Sequence, residues 1–207
     1  PTFQTPTFGV NFAGVKSGVI SQVKAAGYDS WLTVGLTGGQ SGLGSAGINF
    51  KSWTASKGIT IKDGGVFWMN PAKSTATGTV CVAQLTVKAG TSTTVTMGVA
   101  GKTKSGSNWR VDKVSWKVKV GGSSPPPPPS PPPSGKLVTP VVTTTSVAPK
   151  GWQTVRLHVK LGGAAKSAYT IIGSSKGAMT IPAAFQTPTF GVNFAGVKSG
   201  VISQVKA

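Results

Sequence analysis

The sequence predicts an all-β chain, a β-sandwich of immunoglobulin-like or jelly-roll type, and three observations carry that expectation. Apolar residues alternate with polar ones at a period of two in several short runs, the pattern of a strand with one buried face. The composition is rich in turn and strand residues, with 29 Gly among 207 residues, abundant Thr, Ser and Val, and few good helix formers. Turn signals at Gly38-Gly39 and Asp63-Gly64-Gly65 punctuate the runs.

The elements follow in chain order. Val15, Val19 and Val23 hint at a helix that ends at Gly27, and Trp31–Leu36 and Val66–Met69 read as strands. Cys81, Ala83, Leu85 and Val87 are expected on one face of a strand, with Val82, Gln84, Thr86 and Lys88 on the other. Val95, Met97 and Val99 alternate with Thr94, Thr96 and Gly98, and Val114, Trp116, Val118 and Val120 with Ser115, Lys117 and Lys119. Farther on, Val155, Leu157, Val159 and Leu161 alternate with Arg156, His158 and Lys160. Such strands bury one face and expose the other, as two-layer β folds require.

Between these groups lies Ser123-Ser124, then Pro125–Pro129, Ser130, Pro131–Pro133, Ser134 and Gly135. Proline supplies no backbone donor, so this run is expected as a polyproline II rod of about 3.1 Å per residue, on the order of 35–40 Å long.

The repeat is the most informative feature. Phe3–Ala25 recurs without a change as Phe185–Ala207, 23 residues at an offset of 182. Repetition at a fixed period marks a repeat architecture. Two readings stand side by side: a window of about one period from a tandem polymer, or a duplicated element that each subunit offers to a neighbour. The assembly segment is read as Phe3, Phe8, Val10 and Phe12 with Phe185, Phe190, Val192 and Phe194, apolar residues that would enter a core cleft.

Size sharpens the point. Residues 136–184 number 49, too few for a β core without disulfides. A period of 182 less the 13-residue spacer 123–135 leaves 169 residues, a good size for one domain. The expected organisation is 1–122 as the larger part of one sandwich, 123–135 as linker, and 136–207 as the first part of the next. A neighbouring repeat or subunit would then complete the fold. Strand donation of that kind satisfies exposed sheet edges.

Six segments together carry a resemblance: Gly151–Leu157 (GWQTVRL), Tyr169–Gly173, Ile181–Gln186, Tyr28–Gly35 (YDSWLTVG), Val66–Pro71 and Val82–Val87. They resemble a β-sandwich domain of secreted and cell-surface proteins of algae, other protists and some aquatic bacteria. In that family the Gly-Trp segment precedes the Asp-Ser-Trp segment, the order obtained by starting at Lys136 and wrapping through the repeat. The Ser-Pro spacer resembles those of hydroxyproline-rich glycoproteins. That resemblance implies hydroxylation and O-linked glycans on Pro125, Pro126, Pro127, Pro128, Pro129, Pro131, Pro132 and Pro133, and an extracellular or cell-surface location. Members of the family are more acidic than this chain.

Charge and chemistry narrow the function. The chain has 21 Lys and Arg against Asp29, Asp63 and Asp112, no Glu, and a net charge of +18. That balance attracts polyanions such as acidic polysaccharide, but the cations are spread singly rather than in a run, so nucleic acid is not the expected partner. Cys81 stands alone and is expected as a buried thiol. No apolar run reaches the roughly 18 residues needed for a membrane span.

Catalysis is not expected, because no pair of carboxylates and no His/Cys cluster at metal-ligand spacing is present. No cofactor is implied. His158 reads as a solvated strand residue, Asp63 as a turn residue and Asp29 as a backbone-orienting one. Trp109 is the best candidate for an exposed platform that stacks on a glycan.

These features point to a self-assembling structural subunit of an extracellular glycoprotein fibril or surface hair. The alternative is a cationic module that binds cell-wall polysaccharide.

Overall fold

The computed structural model of the chain describes residues 12–121, 136–147 and 151–186. They are predominantly β, in two antiparallel sheets. The four-stranded sheet runs β1 (Trp31–Leu32), β5 (Thr79–Lys88), β9 (Trp152–Leu161), β8 (Val138–Val147). The seven-stranded sheet runs β2 (Leu43–Ala46), β4 (Gly64–Trp68), β10 (Ala165–Gly173), β6 (Ser92–Thr103), β11 (Met179–Ile181), β3 (Ile59–Ile61). Its last member, β7 (Asn108–Lys119), pairs with β6.

The alternation read from the sequence places the core. Val95, Met97 and Val99 on β6, Val114, Trp116 and Val118 on β7, and Val155, Leu157 and Val159 on β9 are all buried in one cluster that draws on both sheets. The Trp116 indole donates to the His158 carbonyl on β9, 2.7 Å away, and links a strand of one sheet to a strand of the other. Trp68 likewise donates to the Val34 carbonyl at 2.9 Å.

Pairing across the Pro-rich segment departs from the expected division. β9 and β10 lie beyond the linker, yet β9 pairs with β5 from Thr79↔Lys160 to Lys88↔Trp152, and β10 fits between β4 and β6. Residues 136–147 and 151–186 therefore share sheets and one core with 12–121 within a single chain. The complement that the sequence assigned to a following repeat or neighbouring subunit is here supplied by the chain itself. The physical reason is the one that made 49 residues look too few. β8–β11 cannot bury their apolar faces alone, and β4, β5 and β6 offer edges of matching register.

The two ends flanking residues 122–135 lie far apart. Val120 exchanges backbone hydrogen bonds with Gly90 and Thr91, beside the Lys88↔Trp152 end of the β5–β9 ladder. Val138 pairs with Leu161 at the opposite end of β9. Nine residues of β9 separate the two places, about 30 Å of strand.

Two facing assignments change. The β5–β9 register shifts between Cys81 and Ala83, a bulge with Val82 as the extra residue. Ala83, Leu85 and Val87 point into the main core as expected, but Cys81 is turned to the opposite face and joins a second cluster, while Val82, expected on the polar face, enters the main core. The expected strand Trp31–Leu36 is regular only at Trp31–Leu32, although the Thr33 and Gly35 amides still donate to the Val82 and Cys81 carbonyls, and Val66–Met69 is realised as Gly64–Trp68 with Met69 exposed. The helix hinted at by Val15, Val19 and Val23 is α1, Ser17–Gln22, followed by a 3-10 turn at Lys24–Tyr28 that contains Gly27.

Candidate functional site

The repeated segment takes its place at the outer edge and outer face of the four-stranded sheet. Phe12 forms a parallel bridge with Leu32, and the Ala13 amide donates to the Leu32 carbonyl at 2.8 Å. On the other side of the segment the Gly39 amide donates to the Ala13 carbonyl at 2.8 Å, and Gly14 bridges Gly38. The Phe12 ring is buried and stacks on Phe50, centroids 5.6 Å apart. Gly14 is required here: its φ is +80°, and a Cβ would lie 2.0 Å from the Thr37 carbonyl oxygen.

Beyond Gly14 the segment crosses the outer face of the sheet. Val15 and Ala26, with the partly buried Val19, Ile20 and Val23, cover Trp31 and Cys81. That cover explains why β5 is buried on both faces. Burial pushes the Cys81 thiol up to about 11, against smaller opposing effects of the Arg156 charge and the hydrogen bond to the Ala83 carbonyl. A thiol so held is a poor nucleophile at neutral pH.

A polar cluster fixes the end of the segment. Gln84 Nε2 donates to the carbonyls of Gly27 and Asp29 at 3.0 and 2.9 Å, and Gln84 Oε1 accepts from Arg156 Nε at 3.1 Å. The Arg156 guanidinium lies 5.7 Å over the Trp31 ring, a cation–π contact.

The second copy enters the same region. The Phe185 amide donates to the Thr86 carbonyl at 2.7 Å, and the Phe185 carbonyl accepts from the Ser30 amide at 3.0 Å. Gln186 Nε2 donates to the Ser30 carbonyl at 3.0 Å, and the Phe185 ring meets Trp152 edge to face with centroids 5.7 Å apart. Ser30 Oγ in turn accepts from the Thr86 amide at 2.9 Å.

The described parts of the two copies are therefore complementary. Residues 185–186 of the second and 12–25 of the first together represent the two ends of one 23-residue sequence. Of the expected assembly residues, the structure brings Phe12 and Phe185 to this site. Phe3, Phe8, Val10, Phe190, Val192 and Phe194 lie outside the described residues, as do Pro125–Pro133.

Trp109 is not the exposed platform expected of it. It is buried, and its indole donates to the Lys102 carbonyl at 2.9 Å. Its cross-strand partner is Gly101, where a Cβ would meet the Trp109 ring at 2.6 Å, so the absent side chain makes room for the indole. A glycine inside an alternating strand was the available signal.

His158 is half-buried rather than freely solvated. Burial first, then the Arg156 charge, hold its imidazole below the ordinary value, and Nδ1 has no hydrogen-bond partner among the described residues. Asp29 is buried. Among the described residues no group of three His, Cys, Asp or Glu side chains is placed to hold a metal ion, and no helix is long and apolar enough to cross a membrane.

A cationic groove lies elsewhere, lined by Lys102, Lys104 and Lys166 with Ser74, Thr77 and Ser167. The sequence reading, which saw lysines spread singly, did not foresee it, since β6 and β10 bring them together only through strand pairing.

Comparison with protein-family descriptions, with curated proteins and with solved structures finds no match to this chain.

Proposed function

We propose that the protein is a β-sandwich structural subunit of an extracellular glycoprotein fibril, assembled through its repeated segment. The observation that carries this reading is the balance of copies and places: the chain holds two copies of a 23-residue segment, and the described residues seat the two ends of one. A surplus copy of a segment that docks by backbone pairing and buried Phe is the raw material of self-association. In a tandem polymer the surplus vanishes, because one copy closes one period and opens the next. The Pro-rich run would serve as a polyproline II spacer carrying hydroxyproline-linked glycans.

Negative-stain images of the purified protein test the assembly, and long regular filaments are the expected result. Dispersed monomers at all concentrations overturn it. Peptide mass spectra that show Pro125–Pro133 unmodified in material from the native source would remove the glycoprotein part.

The groove of three lysines favours a second reading, a cationic module that grips acidic polysaccharide. Converting Lys102, Lys104 and Lys166 together to Ala is expected to weaken binding to a sulfated polysaccharide about tenfold, since exposed charge contacts contribute roughly 0.5 kcal/mol each. Isothermal titration at low and high salt checks it, and the difference should shrink as salt screens the contacts. Equal binding by both proteins at low salt rejects the groove as the site.

A further inference from the structure

We infer that the place held by Phe12–Ala25 is an exchangeable seat, and that the second copy of the same chain, Phe194–Ala207, is its alternative occupant. This goes beyond the fibril reading and does not depend on filaments forming.

Every contact that seats the first copy belongs to a sequence present twice. Phe12 against Phe50, Ala13 on Leu32 and Gly39, Gly14 in the confined turn beside Thr37, and Val15, Val19, Ile20 and Val23 over Trp31 and Cys81 have identical counterparts at Phe194, Ala195, Gly196, Val197, Val201, Ile202 and Val205. The seat cannot distinguish the two copies by side chain.

Position favours the chain's own second copy over one from another molecule. Gln186 is already fixed on the Ser30 carbonyl, and Phe12 is bridged to Leu32, only two residues farther along. Two residues of strand are about 7 Å. The eight peptide steps from Gln186 to Phe194 reach up to about 27 Å, so the segment can lead on into the seat without unseating Phe185 or Gln186. The first copy would then leave as far as Ala25, while Ala26 stays packed on Trp31. Occupancy by either copy leaves the sheets and the main core unchanged.

Two readouts test this on the full chain: the melting temperature and the rate at which Cys81 reacts with an aromatic disulfide reagent. Cys81 reports on the seat directly, because the occupant covers it. Phe12→Ala alone and Phe194→Ala alone are each expected to lower the melting point by less than about 3 °C and to leave Cys81 slow, since the intact copy takes over. The double variant is expected to lose on the order of 10 °C and to react at least about tenfold faster.

A Phe12→Ala protein as damaged as the double variant overturns the proposal, because the second copy then cannot substitute. A double variant as stable and as slow to react as the wild type also overturns it. Protection in Phe12→Ala that disappears on dilution assigns the occupant to another chain and overturns the assignment to the same one. Each of these outcomes is independent of filament images, so failure here and failure of the fibril reading are separable.

Discussion

A chain cut once within residues 123–135 is expected to remain one folded particle, its two fragments eluting together from gel filtration in the absence of denaturant. The reason lies in the sheets. β9 is paired along its length with β5, β10 is inserted between β4 and β6, and β11 between β6 and β3, so separation would open five strand pairings at once. It would also expose Leu85, Val99, Leu157 and Ile171, all fully buried, each contributing roughly 1.5–3 kcal/mol by its burial. The fragment 1–122 expressed by itself should lack a cooperative unfolding transition. A folded, monomeric 1–122 fragment would show instead that the segments on the two sides of the linker belong to separate bodies.

Trp116→Ala is expected to be the most damaging single substitution in the core. The ring is buried between strands of both sheets, and large-to-small changes at such sites cost about 3–5 kcal/mol. The same change leaves the His158 carbonyl without its 2.7 Å donor, which adds about 1 kcal/mol. Trp116→Phe keeps most of the packing and loses the donor, so it should fall well short of the alanine variant. Denaturant unfolding followed by circular dichroism checks both, and a loss below about 1 kcal/mol for the alanine variant would contradict the placement of this ring.

The parts of the fold that were legible in the sequence are those set by local periodicity. Val95-Met97-Val99 and Val155-Leu157-Val159 announce their buried faces because alternation is a property of a single strand. What could not be read depends on partners distant in the chain. Cys81 was assigned the wrong face because a bulge is a property of a pair: only alignment with His158 and Leu157 shows that Val82 is the extra residue. Trp109 looked exposed between Asn108 and Arg110, and the glycine that receives it stands on another strand. Arg156 and Gln84 read as outward, polar positions, and so they are. They became part of the candidate site because Gly27, Asp29 and Trp31 are laid over them. The division at the Pro-rich run failed for a related reason: composition marks where a chain stops forming sheet, and carries no information on which strands pair across the gap.

The separation of the linker's two ends turns its length into a gauge of molecularity. Extended as polyproline II, the fifteen steps from Gly121 to Lys136 would reach about 46 Å, against about 30 Å of strand to be traversed around the body. The margin is modest. Removing all eight prolines would leave seven steps, at most about 25 Å, so the closed arrangement would be unreachable and β8–β11 could then find β4–β6 only on a second molecule. The result would be a reciprocal dimer or an open chain of exchanged halves. Doubling the run would act in the other direction only weakly, because the effective concentration of one half near the other falls slowly once a tether exceeds its span. Proline number, a property usually assigned to spacing between bodies, would in this fold decide whether a body closes on itself.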